Sequence, residues 1–149
     1  MKRYALTLAG LALALAAQAQ VSVKEPWVRA TVAQQKATGA FMQLRSEKDS
    51  RVVSASSPVA AVVEIHEMAM DKDVMMMRAL PQGLPLPAGK TIELKPGGYH
   101  LMLLDLKGQI KEGDKVPLTL QVENKDGKRS QLEVSAEARP LTGMPAKSH

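Results

Sequence analysis

The sequence predicts an all-β protein built as a single-domain sandwich of the immunoglobulin-like or cupredoxin-like kind. Apolar residues recur at period two in short runs, and no window holds a sustained helical face. Turn-forming clusters separate the runs: Asp71-Lys72-Asp73, Pro96-Gly97-Gly98, Glu112-Gly113-Asp114 and Asn124-Lys125-Asp126-Gly127. Many short strands between such turns are the signature of a sandwich or a small barrel, and nine strands over this length suit the sandwich better.

Taken in order, the strands are expected at 21–30, 39–44, 51–56, 61–70, 74–79, 91–94, 99–104, 116–122 and 131–136. Ahead of them lies an export signal. Lys2 and Arg3 are a basic start, Tyr4 to Ala16 an apolar stretch, and Ala17-Gln18-Ala19 a small-x-small cleavage site before Gln20. The apolar stretch is shorter than the roughly 20 residues a bilayer helix needs. Residues 1–19 therefore read as a signal peptide cleaved at Ala19/Gln20, 20–139 as one sandwich domain, and 140–149 as a flexible tail. The mature product is expected in the periplasm, as a monomer with no membrane span.

Cleavage leaves 130 residues of the 149, enough for a core without staples. Without Lys2 and Arg3 the 20 basic residues fall to 18 against 15 acidic ones, a net charge of +3, too small to suggest nucleic acid. The chain has no cysteine. That excludes disulfides, thiolate zinc sites and the thiolate-dependent blue-copper centre.

The chemistry-bearing residues are histidines and methionines. His66-Glu67-Met68-Ala69-Met70 is followed by Met75-Met76-Met77, and later by His100-Leu101-Met102. Both internal histidines of the mature chain sit in His-x-Met pairs, and five of its eight methionines fall between positions 68 and 77. Filling of core gaps accounts for single methionines such as Met42, but not for this concentration. Imidazole and thioether together form a soft, neutral donor set, which selects Cu(I) over hard divalent ions.

Strand geometry decides which donors can meet. Glu64, His66, Met68 and Met70 share one face of their strand, and Val63, Ile65 and Ala69 face the core. In the later strand His100, Met102 and Leu104 lie opposite Tyr99, Leu101 and Leu103. If Met70 pairs with Met75, then Met68 opposes Met77 and residue 66 opposes residue 79. A three-residue loop would instead send Met77 to the far side, because a one-residue slip reverses every side chain. A shared site demands the even loop. Trp27 and Arg29 are expected to pack, and Met144 and His149 in the tail to stay uninvolved.

These residues resemble the signature of the periplasmic PCuAC-type copper chaperones: His66-Glu67-Met68, Met77 after ten intervening residues, and His100-Leu101-Met102. Pro26-Trp27-Val28-Arg29-Ala30, Thr38-Gly39-Ala40-Phe41-Met42 and the run from Leu94 to Leu103 are similar to that family as well. The gap from Met77 to His100 holds 22 residues where the family usually has 21, which places an extra residue in the loop from Pro81 to Pro87. The optional Met after the first His is Glu67 here. The resemblance implies a cupredoxin-like sandwich that binds Cu(I) through His66, Met77, His100 and Met102, with Met68 as an additional candidate. It implies a carrier rather than an enzyme. Its copper acceptor would be the binuclear copper centre in the subunit II copper domain of cytochrome c oxidase, or a partner chaperone. Copper storage or resistance is the alternative, and a metal-free interaction module the more distant one.

Overall fold

The computed structural model describes residues 21–140. The expected signal peptide with its cleavage point, and Met144 and His149 of the expected tail, lie outside the described residues. Ten strands follow one another: β1 (Val21–Arg29), β2 (Ala37–Ser46), β3 (Ser50–Ser56), β4 (Ala60–Asp71), β5 (Val74–Ala79), β6 (Leu84–Leu86), β7 (Thr91–Leu94), β8 (His100–Leu106), β9 (Lys115–Asn124) and β10 (Arg129–Arg139). The all-β expectation holds, and each of the nine expected strands has a counterpart.

The strands are joined in the order β5-β4-β8-β2-β1-β10-β9-β3-β6, with β7 on β2 and a further pairing of β4 with β3. That last contact, Ala55 opposite Val63, brings the sheet back on itself, so two layers enclose one core. Every pairing is antiparallel except β1 with β10.

Inward residues from both layers fill the centre: Val28, Met42, Leu44, Leu101, Leu103, Leu118, Leu120 and Ala136 are all buried. Full burial of each large aliphatic is worth roughly 1.5–3 kcal/mol. Because alternate residues of a strand face opposite ways, burial of Leu101 and Leu103 turns His100 and Met102 outward.

Two local features escape the sequence pattern. The stretch from Pro81 to Pro87, read as a loop, contains β6, whose Leu84 and Leu86 are buried while Pro85 points to solvent. β6 ends the path of strands, where a proline without an N–H is tolerated. Gly83 precedes it at φ 88°, and a Cβ there would come 2.3 Å from the Val52 carbonyl oxygen, so only glycine fits. The other feature is an irregularity in β1 between Lys24 and Trp27. Glu25 adopts φ 51° and Pro26 follows, a bulge that re-aims Trp27 and Arg29.

Candidate metal centre

The hairpin of β4 and β5 takes the even register. Met70 opposes Met75, Met68 opposes Met77 and His66 opposes Ala79. The turn is set by Lys72 and Asp73, both left-handed with φ 53° and 67°, as a two-residue primed turn requires. On its other side β4 pairs with β8, and there His66 stands directly opposite His100 and Glu64 opposite Met102. One strand thus carries His66 and Met68 between a neighbour that supplies Met77 and another that supplies His100 and Met102. All five lie on the outer face of the sheet.

The two imidazoles meet edge to face with centroids 5.6 Å apart. His66 Nε2–H donates to the Glu64 carboxylate at 2.8 Å. Its Nδ1 is buried and has no partner. His100 Nδ1–H donates to the Gly98 carbonyl at 3.1 Å, which leaves its Nε2 with the lone pair. Each ring is therefore anchored through one nitrogen and keeps the other as an electron-pair donor, the arrangement that orients metal-binding histidines. An unsatisfied buried imidazole nitrogen costs stability unless something occupies its lone pair, and a soft cation fits it.

Burial pushes the His100 pKa below its ordinary 6.5. The Gly98 hydrogen bond opposes that shift, and the neighbouring His66 and Arg29 add to it. The neutral ring that a metal needs is thus the favoured form near neutrality.

A groove of about 290 Å³ opens over this face, lined by residues that include Arg29, Gln35, Gly39, Phe41, Met68, Met77, Pro96, His100 and Met102. Trp27 stacks on Phe41 at 4.7 Å, and the Arg29 guanidinium lies 5.5 Å from the Phe41 centroid. Phe41 in turn sits 6.3 Å from the His100 ring. Trp27 packs as the sequence suggests. Arg29 does more, because it walls the groove and contributes positive charge beside His100. Gln35 is a wall residue that the sequence does not point to, and Phe41 and Pro96, which the sequence offers only within a family-like run and a turn, also line the wall. Gly39 leaves room for the Phe41 ring, since a Cβ there would stand 3.0 Å from its tip.

The donors differ in exposure. His100 is 6% exposed and Met77 46%. Among the described residues no three His, Cys, Asp or Glu side chains form a metal cluster. Any ion held here must lean on thioethers. A larger hollow of about 760 Å³, lined by Glu25, Glu112, Glu137 and Arg139 among others, offers no His or Met.

Residues 21–136 match the family model described as "Putative lipoprotein LpqE-like". The chain belongs to this LpqE-like family. Among its relatives, "Putative lipoprotein Lxx21020" of Leifsonia xyli subsp. xyli is 32% identical over 137 residues, covering 87% of this chain and 81% of the relative. Solved structures of PCuAC domains share the fold. The apo PCuAC domain of PmoF1 superposes with a TM-score of 0.65 at 22% identity, covering 82% of this chain and 95% of that one. The Cu(I) form of DR1885 from Deinococcus radiodurans gives 0.61 at 29% identity, with 84% and 83% covered. The copper-bound PCuAC domain of PmoF2 gives 0.64 at 19% identity, covering 82% and 94%.

Proposed function

We propose that the protein is an exported Cu(I) carrier that holds its ion through His66, Met77, His100 and Met102, and that Met68 stands next to this set. The observation that carries the reading is the pairing of His66 with His100, each ring anchored through one nitrogen, beside the Met68–Met77 rung. The copper in the PmoF2 domain and the Cu(I) in DR1885 support it, as these proteins share the fold.

Chemistry favours carriage over catalysis. Four neutral donors hold Cu(I) without accumulating negative charge, and the fixed positive charge of Arg29 beside them repels a divalent ion more than a monovalent one. Thioethers bind more weakly than thiolates, so an acceptor bearing cysteines takes the ion by stepwise ligand exchange. The acceptor we propose is the binuclear copper centre of cytochrome c oxidase, reached directly at subunit II or through a partner chaperone, in the periplasm. The lipoprotein name of the family and the relative fits export, and among the described residues no helix is long and apolar enough to cross a membrane.

Competition of the mature chain against a Cu(I) chelator tests binding, with one ion per chain expected. Incubation of the loaded chain with an oxidase subunit II copper domain tests delivery. Retention of copper by the chain in that mixture would move the assignment to storage.

A further inference from the structure

The β4–β5 hairpin projects beyond the groove, and all six residues of β5 are exposed. Large apolar side chains in water on both faces of a ribbon are costly, and a patch of them calls for a reason. Here the two faces are not equivalent. On the site face the thioethers come in directly opposed pairs: Met68 with Met77 at the groove, then Met70 with Met75 one step nearer the turn. Met70 is 65% exposed and Met75 47%. On the reverse face Met76 opposes Ala69 and has no thioether partner across the ribbon.

We propose that Met70 and Met75 form a second, weak Cu(I) site, a loading station from which the ion passes to Met68 and Met77 and on to the histidines. The proposal rests on the Cu(I) reading of the main site. Residues directly opposite across antiparallel strands have Cα atoms about 4.5–5.5 Å apart, within the span that two long, flexible thioether side chains can bridge around one ion. Successive pairs on one face are about 7 Å apart along the strand, twice the rise per residue. Methionine has three rotatable bonds, so a sulfur from each rung can reach toward an ion between them. Two thioethers alone hold Cu(I) loosely. Met77 can then displace one of them, and the ion moves inward toward a site richer in donors. At each step a bond from copper to a thioether sulfur, or at the end to an imidazole nitrogen, forms as a Cu–S bond breaks; copper stays Cu(I), and no proton moves because a thioether carries none and each ring already offers a free lone pair.

Exposure suits this role, since a receiving site must be reachable by a donor. Within the main site His100 is buried, so an arriving donor meets the exposed thioethers first.

The test uses the mature chain with 13C-labelled methionine methyl groups, titrated with Ag(I) as a redox-inert substitute and then with Cu(I) under anaerobic conditions. The first equivalent should shift the Met77 and Met102 methyls, and an excess should then shift Met70 and Met75 while Met76 stays in place. Met70 and Met75 unmoved, or moved only in step with Met76, would overturn the loading station and leave the main site standing. Silence at Met77 and Met102 as well would overturn the Cu(I) reading itself. Kinetics gives the second arm. The double variant Met70→Leu with Met75→Leu keeps the apolar volume and should load from a weak Cu(I) donor about tenfold more slowly, equivalent to about 1.4 kcal/mol. Its equilibrium affinity should match the parent, and Met76→Leu should load at the parent rate. An unchanged loading rate in the double variant would sink the relay.

Discussion

The two sides of the groove are built differently. On the β8 side His100 is nearly buried, tied to Gly98 and backed by Phe41, with Leu101 and Leu103 of the same strand in the core. On the β5 side Met77 is half exposed, on a strand whose six residues are all exposed. One side is fixed by packing and the other is free to repack. The proposed carrier would use both, the buried His100 to set the position of the ion and the exposed Met77 to let an acceptor displace it. An enzyme centre would instead hold all its ligands in rigid shells.

If the fixed side sets affinity, the largest loss should come from it. His100→Ala should weaken Cu(I) binding by more than about 100-fold, beyond what disturbing an outer partner of a ligand costs. Met77→Ala and Met102→Ala should cost less, about tenfold each, and Met75→Ala almost nothing. Chelator competition on the four variants checks the order. Equal losses at Met75 and Met77 would break the assignment of the site face.

Stability should divide along the same line. Leu103→Ala removes a fully buried side chain and should cost about 2–5 kcal/mol. Met76→Ala on the exposed ribbon should stay within about 0.5 kcal/mol. Urea unfolding of the two apo variants measures the contrast, and similar losses would show that the ribbon is packed against something.

Acid should act through His100. Its folded pKa lies below the 6.5 of an unfolded chain, because burial disfavours the charged ring. As pH falls below 6.5 the unfolded state takes up a proton first. Apo stability contributed by this group is therefore full above 6.5, falls as pH drops through the folded value, and then levels. His100→Gln should flatten the part of the stability profile that lies below about pH 6.5. An unchanged slope would mean that another group carries the acid sensitivity. Cu(I) binding should fade on the same side, since a protonated imidazole has no lone pair to give.

Much of the fold is legible in the sequence. Loop arithmetic leaves two registers open for the hairpin, and only the even one, which the structure takes, puts Met77 on the face of His66. The face of His66 and Met68 followed from Ile65 and Val63. The pairing of His66 with His100 did not, because β4 and β8 are joined only by a long-range pairing that no local pattern encodes. β6 was missed for a local reason, since Pro85 between two leucines reads as a loop until the strand is seen at an edge. The wall of the groove was hidden likewise. Phe41 looked like one more apolar residue of β2, and only the pairing of Trp27 with Phe41 across β1 and β2 reveals the stack that backs His100.

The smallest effect bears most directly on how the two sides cooperate. Met68 lies on β4 between them, opposite Met77 and two residues from His66. It lines the groove and is more buried than Met77. Our reading is that Met68 is an exchanging thioether, entering the coordination sphere as the four-donor site gives up its ion. Met68→Leu keeps the volume and removes the sulfur, a swap that well-packed sites tolerate. Equilibrium affinity should then fall by no more than about threefold, less than 1 kcal/mol, while stopped-flow transfer to an acceptor domain should slow. Unchanged transfer would reduce Met68 to a cover over the site. A collapse of affinity to the level of Met77→Ala would make it a resident ligand, and the mobile side of the groove would then hold two donors instead of one.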